Sequence, residues 1–170
     1  SYHNTSDKTV NLNILIHTSN RGFNRMGHID IYFDGKVISY GCYDEGSRYV
    51  GELFGDGVLF MVKSKKEYIN FCIDNSKKTI FDFGICLTEL QKKKVSLRIK
   101  ELLENTYPWD HKIDKNYQEG KSYAAKLYQR TAAKFYKFKS GKYKTYYVLG
   151  TNCCFLADDI IGKSGTDILS

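Results

Sequence analysis

The stretch His28-Ile29-Asp30-Ile31-Tyr32-Phe33, followed by Asp34-Gly35 and then Lys36-Val37-Ile38-Ser39-Tyr40, decides the predicted fold. Both flanking runs are rich in β-branched and aromatic residues, which favour strands. A two-residue turn between antiparallel strands needs positive φ at both central residues, and Asp-Gly tolerates that conformation. The pattern therefore predicts a β-hairpin in which Phe33 lies opposite Lys36.

The predicted register separates the side chains of this hairpin into two faces. Side chains alternate along a strand, so one face carries His28, Asp30, Ser39 and Gly41. The other face is apolar, and we expect its residues in the core: Ile29, Ile31, Phe33, Ile38 and Tyr40. A histidine on a polar face that is backed by an apolar face is a suitable frame for a catalytic base.

Working outward from the hairpin, hydrophobic periodicity predicts strands over residues 10–17, 58–62 and 80–87, and helices over residues 64–75 and 122–133. A capping box at Thr88 predicts a further helix that ends near Glu104. Residues 134–149 are predicted to form a second hairpin around Ser140-Gly141. Residues 1–9 are polar and predicted to be disordered or a linker, so residues 10–170 are predicted to form a single α+β domain with a central antiparallel sheet.

The segment TNCCFLADDIIG at residues 151–162 predicts a helix that begins at Thr151 or Asn152 and ends at Gly162. Cys153 would lie in its first turn. The free N–H groups and the helix macrodipole at that position stabilise a thiolate and lower the pKa of the thiol. Cys154 would point about 100° further around the helix.

A nucleophilic cysteine needs a base and a group that orients this base. His28 is the histidine with the best-defined setting, whereas His17 and His111 are expected to be structural or exposed. Asp30 and Ser39 share the face of His28, and each could accept a hydrogen bond from the imidazole.

Three further residues complete the predicted site. Asn152, or nearby backbone N–H groups, could hold an oxyanion beside Cys153. Tyr32 and Tyr40, on the same hairpin as His28, are predicted to contact the substrate.

Two segments resemble a known superfamily. GHIDIYFDGKVISYG at residues 27–41 resembles the His-strand-turn-strand signature of permuted NlpC-type papain-like cysteine hydrolases, and residues 151–162 resemble the start of their cysteine helix. The related lecithin:retinol acyltransferase group has the same order, with the histidine hairpin first and the cysteine helix last. The resemblance implies a papain-like fold with the cysteine helix packed on the sheet, His28 as general base and Cys153 as nucleophile.

The chain departs from these relatives at two places. Ser39 stands where many relatives carry a second histidine or another polar group that orients the base. Cys154 and Phe155 replace the Glu-His pair that follows the cysteine in the acyltransferase branch, which argues against that branch.

The composition limits the classes of function. The 170 residues are 42% hydrophobic and 26% charged, which is typical of a globular domain, and no apolar run approaches the length of a membrane span. Five cysteines, without a C-x-x-C pair, disfavour a disulfide scaffold or a zinc site, and no metal or organic cofactor is implied. Cys42, Cys72 and Cys86 lie among apolar residues and are predicted to be buried thiols.

The net charge of +7 favours anionic partners. Lysines alternate with aromatic residues over residues 134–144, which is compatible with a nucleic-acid surface but more typical of a hairpin with a solvated lysine face. A cell-wall polymer or lipid headgroup would suit that face as well, and no specific nucleic-acid partner is predicted.

The residues and the resemblance together predict a cysteine hydrolase that cleaves an amide bond, first of all in bacterial cell-wall peptides. A lipid acyl hydrolase or acyltransferase is the second hypothesis. A catalytically inactive module that binds an anionic polymer is the third. A cell-wall substrate would place the protein outside the bacterial cell or on its surface, and a cytoplasmic location stays open as the alternative.

Overall fold

The computed structural model describes residues 1–4, 9–18, 27–113, 120–150 and 152–165. Ten strands are found in these ranges: β1 (Tyr2–Asn4), β2 (Leu12–Thr18), β3 (His28–Phe33), β4 (Lys36–Gly41), β5 (Phe54–Asp56), β6 (Val58–Val62), β7 (Thr79–Ile85), β8 (Thr106–Pro108), β9 (Lys134–Phe138) and β10 (Thr145–Tyr147). Eight of them form one sheet in the order β1-β7-β2-β3-β4-β6-β9-β8, and β5 pairs with β10 in a separate small sheet.

Four α-helices accompany the strands: α1 (Lys65–Ser76), α2 (Glu89–Glu104), α3 (Tyr123–Thr131) and α4 (Asn152–Gly162). Ser64 and Ser122 cap α1 and α3 by accepting hydrogen bonds from backbone N–H groups of the first turn. The capping box predicted at the start of α2 is confirmed, because the side chains of Thr88 and Gln91 bond reciprocally to each other's backbone N–H groups.

The hairpin predicted over residues 28–40 is confirmed in both position and register. Strands β3 and β4 are antiparallel, and Phe33 lies opposite Lys36. The turn residues Asp34 and Gly35 have φ values of 50° and 71°, the positive values that a primed turn requires. Together β3 and β4 form the centre of the large sheet.

Helices cover both faces of this sheet, whereas the sequence indicated an apolar face on one side only. Helices α2 and α4 pack on the face that carries Ile31, Ile38 and Tyr40. Helices α1 and α3 pack on the opposite face, around Leu15 and Phe60. The polar face of the hairpin is therefore buried, and its polar groups need partners inside the protein.

Two expectations for the sheet are wrong in part. Tyr2–Asn4, predicted to be disordered or a linker, form β1 at the sheet edge; residues 5–8 lie outside the described ranges. Strand β1 runs parallel to β7, so the sheet is mixed rather than wholly antiparallel, and the class is α+β.

The second hairpin predicted over residues 134–149 does not form. Strand β9 pairs with β6 and β8 in the large sheet, and β10 pairs with β5 in the small one. Lys137 of β9 is not solvated, since its Nζ lies 2.6 Å from Asp44 and 2.8 Å from Asp56. The ion pairs with Asp44 and Asp56 therefore neutralise Lys137, the central charge of the basic face predicted for residues 134–144.

Polar contacts fix helix α4 on the sheet. The Arg98 guanidinium of α2 donates to both carboxylate oxygens of Asp159 in α4, at 2.9 and 2.8 Å, and the hydroxyl of Tyr143 donates to the same carboxylate at 2.7 Å. These bonds hold the helix at its C-terminal half, while Leu156 and Ile160 pack on the sheet. Among the described residues, no helix has the length and apolarity needed to span a membrane.

Candidate active site

Cys153 lies in the first turn of α4, as the sequence predicted, although the alternative cap Thr151 lies outside the described residues. Its sulfur is 3.8 Å from the carbonyl oxygen of Gly27, the residue that precedes β3. Helix α4 packs on one face of the sheet, and the polar side chains of β3 point to the opposite face. The Cys153 sulfur and the His28 ring therefore approach each other around the end of β3, where none of the described strands lies between them.

His28, the first residue of β3, has its Nε2 enclosed by three oxygen atoms. Asp30 Oδ1 forms a short contact with it, Ser39 Oγ lies at 3.0 Å and Tyr43 Oη at 3.3 Å. An ionised carboxylate can only accept hydrogen bonds, so Nε2–H donates to Asp30. This assignment leaves Nδ1 as the nitrogen that can take the proton of Cys153. The predicted grouping of His28, Asp30 and Ser39 is confirmed.

Asp30 is the centre of a buried hydrogen-bond network, and its side chain has no exposed surface. His17 Nε2 donates to Oδ2 at 2.6 Å, and the hydroxyl of Tyr68 on α1 donates to the same oxygen. Three donors thus converge on one carboxylate that orients His28. This geometry favours Asp30 over Ser39 as the third member of the site.

His17 is part of this network although the sequence suggested a structural or exposed position. It lies directly opposite His28 in the β2–β3 pair and is 2% exposed. Its Nε2 is bonded to Asp30, and its Nδ1 has no hydrogen-bond partner in the described part of the chain. The spacing of histidines in the sequence did not reveal this pair, which depends on the β2–β3 register.

The same residues are the one group within the described ranges whose ligand atoms could hold a metal ion. One ligand atom from each of His17, His28 and Asp30 lies within 4.8 Å of the others. Hydrogen bonds inside the network already use Nε2 of both rings and both oxygens of Asp30. A cation would have to displace these bonds or use His17 Nδ1.

The charges of the site favour a thiolate beside an imidazolium. Burial lowers the pKa of His28, but the charge and hydrogen bond of Asp30 and the nearby Cys153 outweigh burial and raise it to about 9. Burial alone would raise the pKa of Asp30, and the two histidines bring it well below its usual value. Burial dominates at His17 and lowers its pKa, so this ring is neutral.

Cys153 has a pKa lowered to about 3, and its largest single cause is a hydrogen bond from Cys154. The two sulfur atoms are 3.9 Å apart, and the pKa of Cys154 is raised above its usual value, so Cys154 is the thiol that donates. His28 and the backbone N–H of Ile29 lower the pKa of Cys153 further, against the opposing effect of burial. Cys154 therefore acts on the nucleophile directly.

The structure changes the predicted oxyanion contacts. The Asn152 side chain donates from Nδ2 to the carbonyl of Tyr147 at 2.7 Å, which ties the first turn of α4 to β10. The neighbouring Tyr146 lines the same cleft as Cys153, and burial, followed by the charge of Cys153, raises the pKa of its phenol. The sequence did not indicate a tyrosine at this place.

The two tyrosines predicted to contact the substrate do not reach the site. Tyr40 is 1% exposed, and its hydroxyl donates to the carbonyl of Tyr143 at 2.7 Å inside the core. Tyr32 packs at the far end of β3, with Lys65 Nζ 5.2 Å from its ring centre. Strand alternation directs the Tyr40 ring away from His28, and distance along β3 separates the Tyr32 ring from it, so neither ring lines the cleft.

A cleft of about 260 Å³ opens above Cys153 and His28. Tyr43, Tyr68, Tyr123 and Tyr146 supply aromatic walls, and residues 148–150 form part of the rim. The volume is slightly below the range of about 300–1,000 Å³ typical of small-molecule sites, so the cleft fits a small part of a substrate. Two cationic side chains, Arg48 and Lys78, also line it.

The remaining cysteines and His111 lie in other settings. Cys72 is buried as expected, Cys42 is half-buried at the cleft, and Cys86 is exposed, contrary to prediction. His111 is 7% exposed and packs against Tyr128 and Phe135, which is a structural position.

Comparison of the chain with known protein families, with curated protein sequences and with solved structures finds no match. The resemblance of residues 27–41 and 151–162 to permuted papain-like hydrolases therefore stays a prediction.

Proposed function

We propose that this chain is a cysteine hydrolase of the papain-like type, in permuted order, that cleaves an amide bond through an acyl-enzyme. The observation that carries the proposal is the alignment of Cys153, His28 and Asp30 at one cleft. Helix α4 places the sulfur in its first turn, β3 places the base, and a buried carboxylate orients that base. Each of these features serves nucleophilic catalysis by a thiolate.

The proposed reaction has two steps. The Cys153 thiolate attacks the carbonyl carbon, and the C–N bond breaks as the His28 imidazolium protonates the departing amine. Neutral His28 then removes a proton from water, which attacks the thioester and releases the acid and the thiolate. Tyr146 and the free N–H groups at the start of α4 are the donors available to the oxyanion.

The pH dependence of iodoacetamide alkylation at Cys153 tests the thiolate directly. Alkylation requires the thiolate, and a pKa near 3 predicts a rate that is nearly constant between pH 5 and pH 8. Free cysteine, with a pKa of about 8.5, gains roughly tenfold in rate per pH unit over most of this range. We expect His28→Ala to restore a rising profile and Cys153→Ala to abolish the fast reaction, with Cys86→Ala as a control that changes neither.

Hydrolysis should follow a different profile, because it also needs the proton on His28. Loss of this proton near pH 9 predicts that kcat/KM falls above that pH. A Cys153 that reacts no faster than free cysteine at pH 7, or a His28→Ala variant with an unchanged profile, would contradict the proposal and favour an inactive binding module.

Bacterial cell-wall peptides are the substrate class that we propose first. The support comes from the sequence resemblance and from the net charge of +7, which favours contact with an anionic cell wall and hence a location outside the cell or on its surface. Incubation with purified peptidoglycan should release new amino groups with wild type and not with Cys153→Ala. The absence of release by a protein whose Cys153 is reactive would reject this substrate but keep the hydrolase.

An exposed apolar side chain at the cleft, with exposed tyrosines near it, favours lipid acyl chemistry as the second candidate. Leu149 lines the cleft and is 47% exposed. Outside the lining, Tyr147 is 39% and Tyr49 is 51% exposed, and both rings stack on Phe54. An acyl chain could lie along such side chains. Acyl release or transfer from phospholipid vesicles, together with inactivity on peptidoglycan, would support this function in place of the first.

A further inference from the structure

Two cations line the cleft without a carboxylate partner in the described part of the chain. Arg48 and Lys78 form no ion pair among the described residues, unlike Lys65 or Lys137. The carboxylate within the network, Asp30, is fully buried and bonded to His17, His28 and Tyr68. Arg48 and Lys78 therefore bring two positive charges to the cleft that Cys153 also lines.

The guanidinium of Arg48 has unused hydrogen-bonding capacity. It donates from Nη2 to the carbonyl of Cys42 at 3.4 Å, while its buried Nε has no partner among the residues that the structure describes. A guanidinium carries five N–H donors in a fixed plane, so most remain available. An unpaired donor in a buried position has an energetic cost that a bound acceptor would remove.

The local fold holds Arg48 in this position. Gly55 allows the close approach of Cys42, since a Cβ on Gly55 would lie 2.4 Å from the Cys42 sulfur, and the Arg48 side chain packs beside this contact, with its Cγ 3.4 Å from the same point. Lys78, which follows α1, approaches from another side and is close enough to contribute to the lowered pKa of His17, after burial. The two cations thus belong to different segments that meet at the cleft.

We propose that Arg48, assisted by Lys78, forms a subsite for an anionic oxygen group of the substrate, such as a carboxylate or a phosphate, beside the bond attacked by Cys153. The planar fork of a guanidinium matches such groups with two parallel hydrogen bonds. This inference rests on the proposed function and adds a requirement to it: good substrates carry a negative charge next to the scissile carbonyl.

Iodoacetate and iodoacetamide test the subsite, because both alkylate Cys153 in the same way and only iodoacetate carries a carboxylate. The ratio of their rate constants cancels any change in thiolate content, which affects both reagents equally. Relative to free cysteine, wild type should favour iodoacetate by about tenfold, which is about 1.4 kcal/mol and lies between the values for unit charges about 4 Å apart in bulk water and near a protein surface. Arg48→Met should lose most of this preference, and Arg48→Lys should keep part of it.

Matched controls separate a local subsite from the overall charge. Arg130→Met removes the same side chain from α3, where Arg130 pairs with Asp74 at an exposed position, and should leave the ratio unchanged. Lys78→Met should lower the ratio less than Arg48→Met does. An equal ratio in wild type and Arg48→Met would overturn the subsite while leaving the nucleophile intact, whereas slow reaction with both reagents would instead reject the proposed hydrolase.

Protection experiments distinguish the two sources of the anion. Acetate and inorganic phosphate, each at constant ionic strength, should slow the reaction of Cys153 with iodoacetamide in wild type but not in Arg48→Met. Stronger protection by acetate assigns the subsite to a carboxylate, and stronger protection by phosphate assigns it to a phosphoryl group. Equal rates with either anion and with chloride would contradict the subsite.

Discussion

Asp30 and Asp82 occupy equivalent depths of the same sheet and have different surroundings. Both lie directly opposite Leu15, Asp30 on the β3 side of β2 and Asp82 on the β7 side, so they share one face about 10 Å apart. Neither side chain has exposed surface. The difference between them lies in the groups that each carboxylate binds.

The described partners of Asp82 are an ammonium, an amide and a phenol, and none of them is a histidine. Lys65 Nζ lies 2.5 Å from it, Asn13 Nδ2 donates at 2.7 Å and the Tyr2 hydroxyl donates at 2.5 Å. These contacts join β1, β2 and α1 to β7. The partners of Asp30 include His28, which can gain or lose a proton and faces a thiol. One carboxylate therefore connects structural elements, and the other also sets the charge of a base.

Matched substitutions Asp30→Asn and Asp82→Asn give the largest expected effects. Each breaks a buried polar cluster, so each should lower the free energy of unfolding by on the order of 3 kcal/mol in urea titrations. In Asp30→Asn the imidazolium also loses its counter-ion. The pKa of His28 should then fall and that of Cys153 should rise, each by about one to three units.

Thiolate absorbance as a function of pH measures the shift at Cys153 in both variants. Asp82→Asn should leave the titration of Cys153 in place, because its carboxylate lies on β7, which β2 separates from β3. Equal shifts in the two variants would show that general loosening of the sheet, rather than the charge of Asp30, controls the thiol.

The β3–β4 hairpin and the start of α4 were predictable because local chemistry determines them. Asp34-Gly35 determines the turn, and the alternation of side chains determines which residues share a face. The free N–H groups at the start of a helix stabilise a thiolate at Cys153. The hairpin expected over residues 134–149 failed for the opposite reason. Its strands pair with β6 and β5, which are distant in sequence, and local turn residues do not encode such pairing.

The surroundings of the nucleophile depended on long-range packing and were missed in the same way. Tyr68 reaches Asp30 because α1 covers the polar face of the sheet, and Tyr146 lines the same cleft as Cys153 because β10 pairs with β5. His17 was within reach of sequence reasoning. It ends the strand predicted over residues 10–17 and His28 begins the next one, so antiparallel pairing of these strands brings the two histidines opposite each other.

Cys154→Ala tests how much of the thiolate's stability comes from outside the Asp30 network. A hydrogen bond to a charged group contributes about 1.5–3 kcal/mol, and 1.36 kcal/mol corresponds to one pKa unit. Loss of the Cys154 donor should therefore raise the pKa of Cys153 by about one to two units in the same absorbance titration. Alkylation would then begin to depend on pH in the acidic range.

Two controls accompany this variant. Cys154→Ser retains a hydroxyl donor at the same position and should shift the pKa of Cys153 less than Cys154→Ala does. Cys86→Ala removes an exposed thiol outside the cleft and should have no effect. An unchanged pKa in Cys154→Ala would mean that His28 and the helix start suffice to hold the thiolate.

The smallest expected effects on the pKa of Cys153 come from the two tyrosines that donate to these carboxylates. Tyr68 is 1% exposed and Tyr2 is 38% exposed, so water can replace the hydroxyl of Tyr2 but not that of Tyr68. Tyr68→Phe should cost about 1.5–3 kcal/mol of unfolding free energy in urea, and Tyr2→Phe less than about 1 kcal/mol. Because Asp30 keeps both histidines in Tyr68→Phe, the titration of Cys153 should move by less than half a unit. A larger shift would mean that the Tyr68 hydroxyl helps to keep His28 protonated. The clusters around Asp30 and Asp82 would then differ in the role of their tyrosine hydroxyls as well as in their cationic side chains.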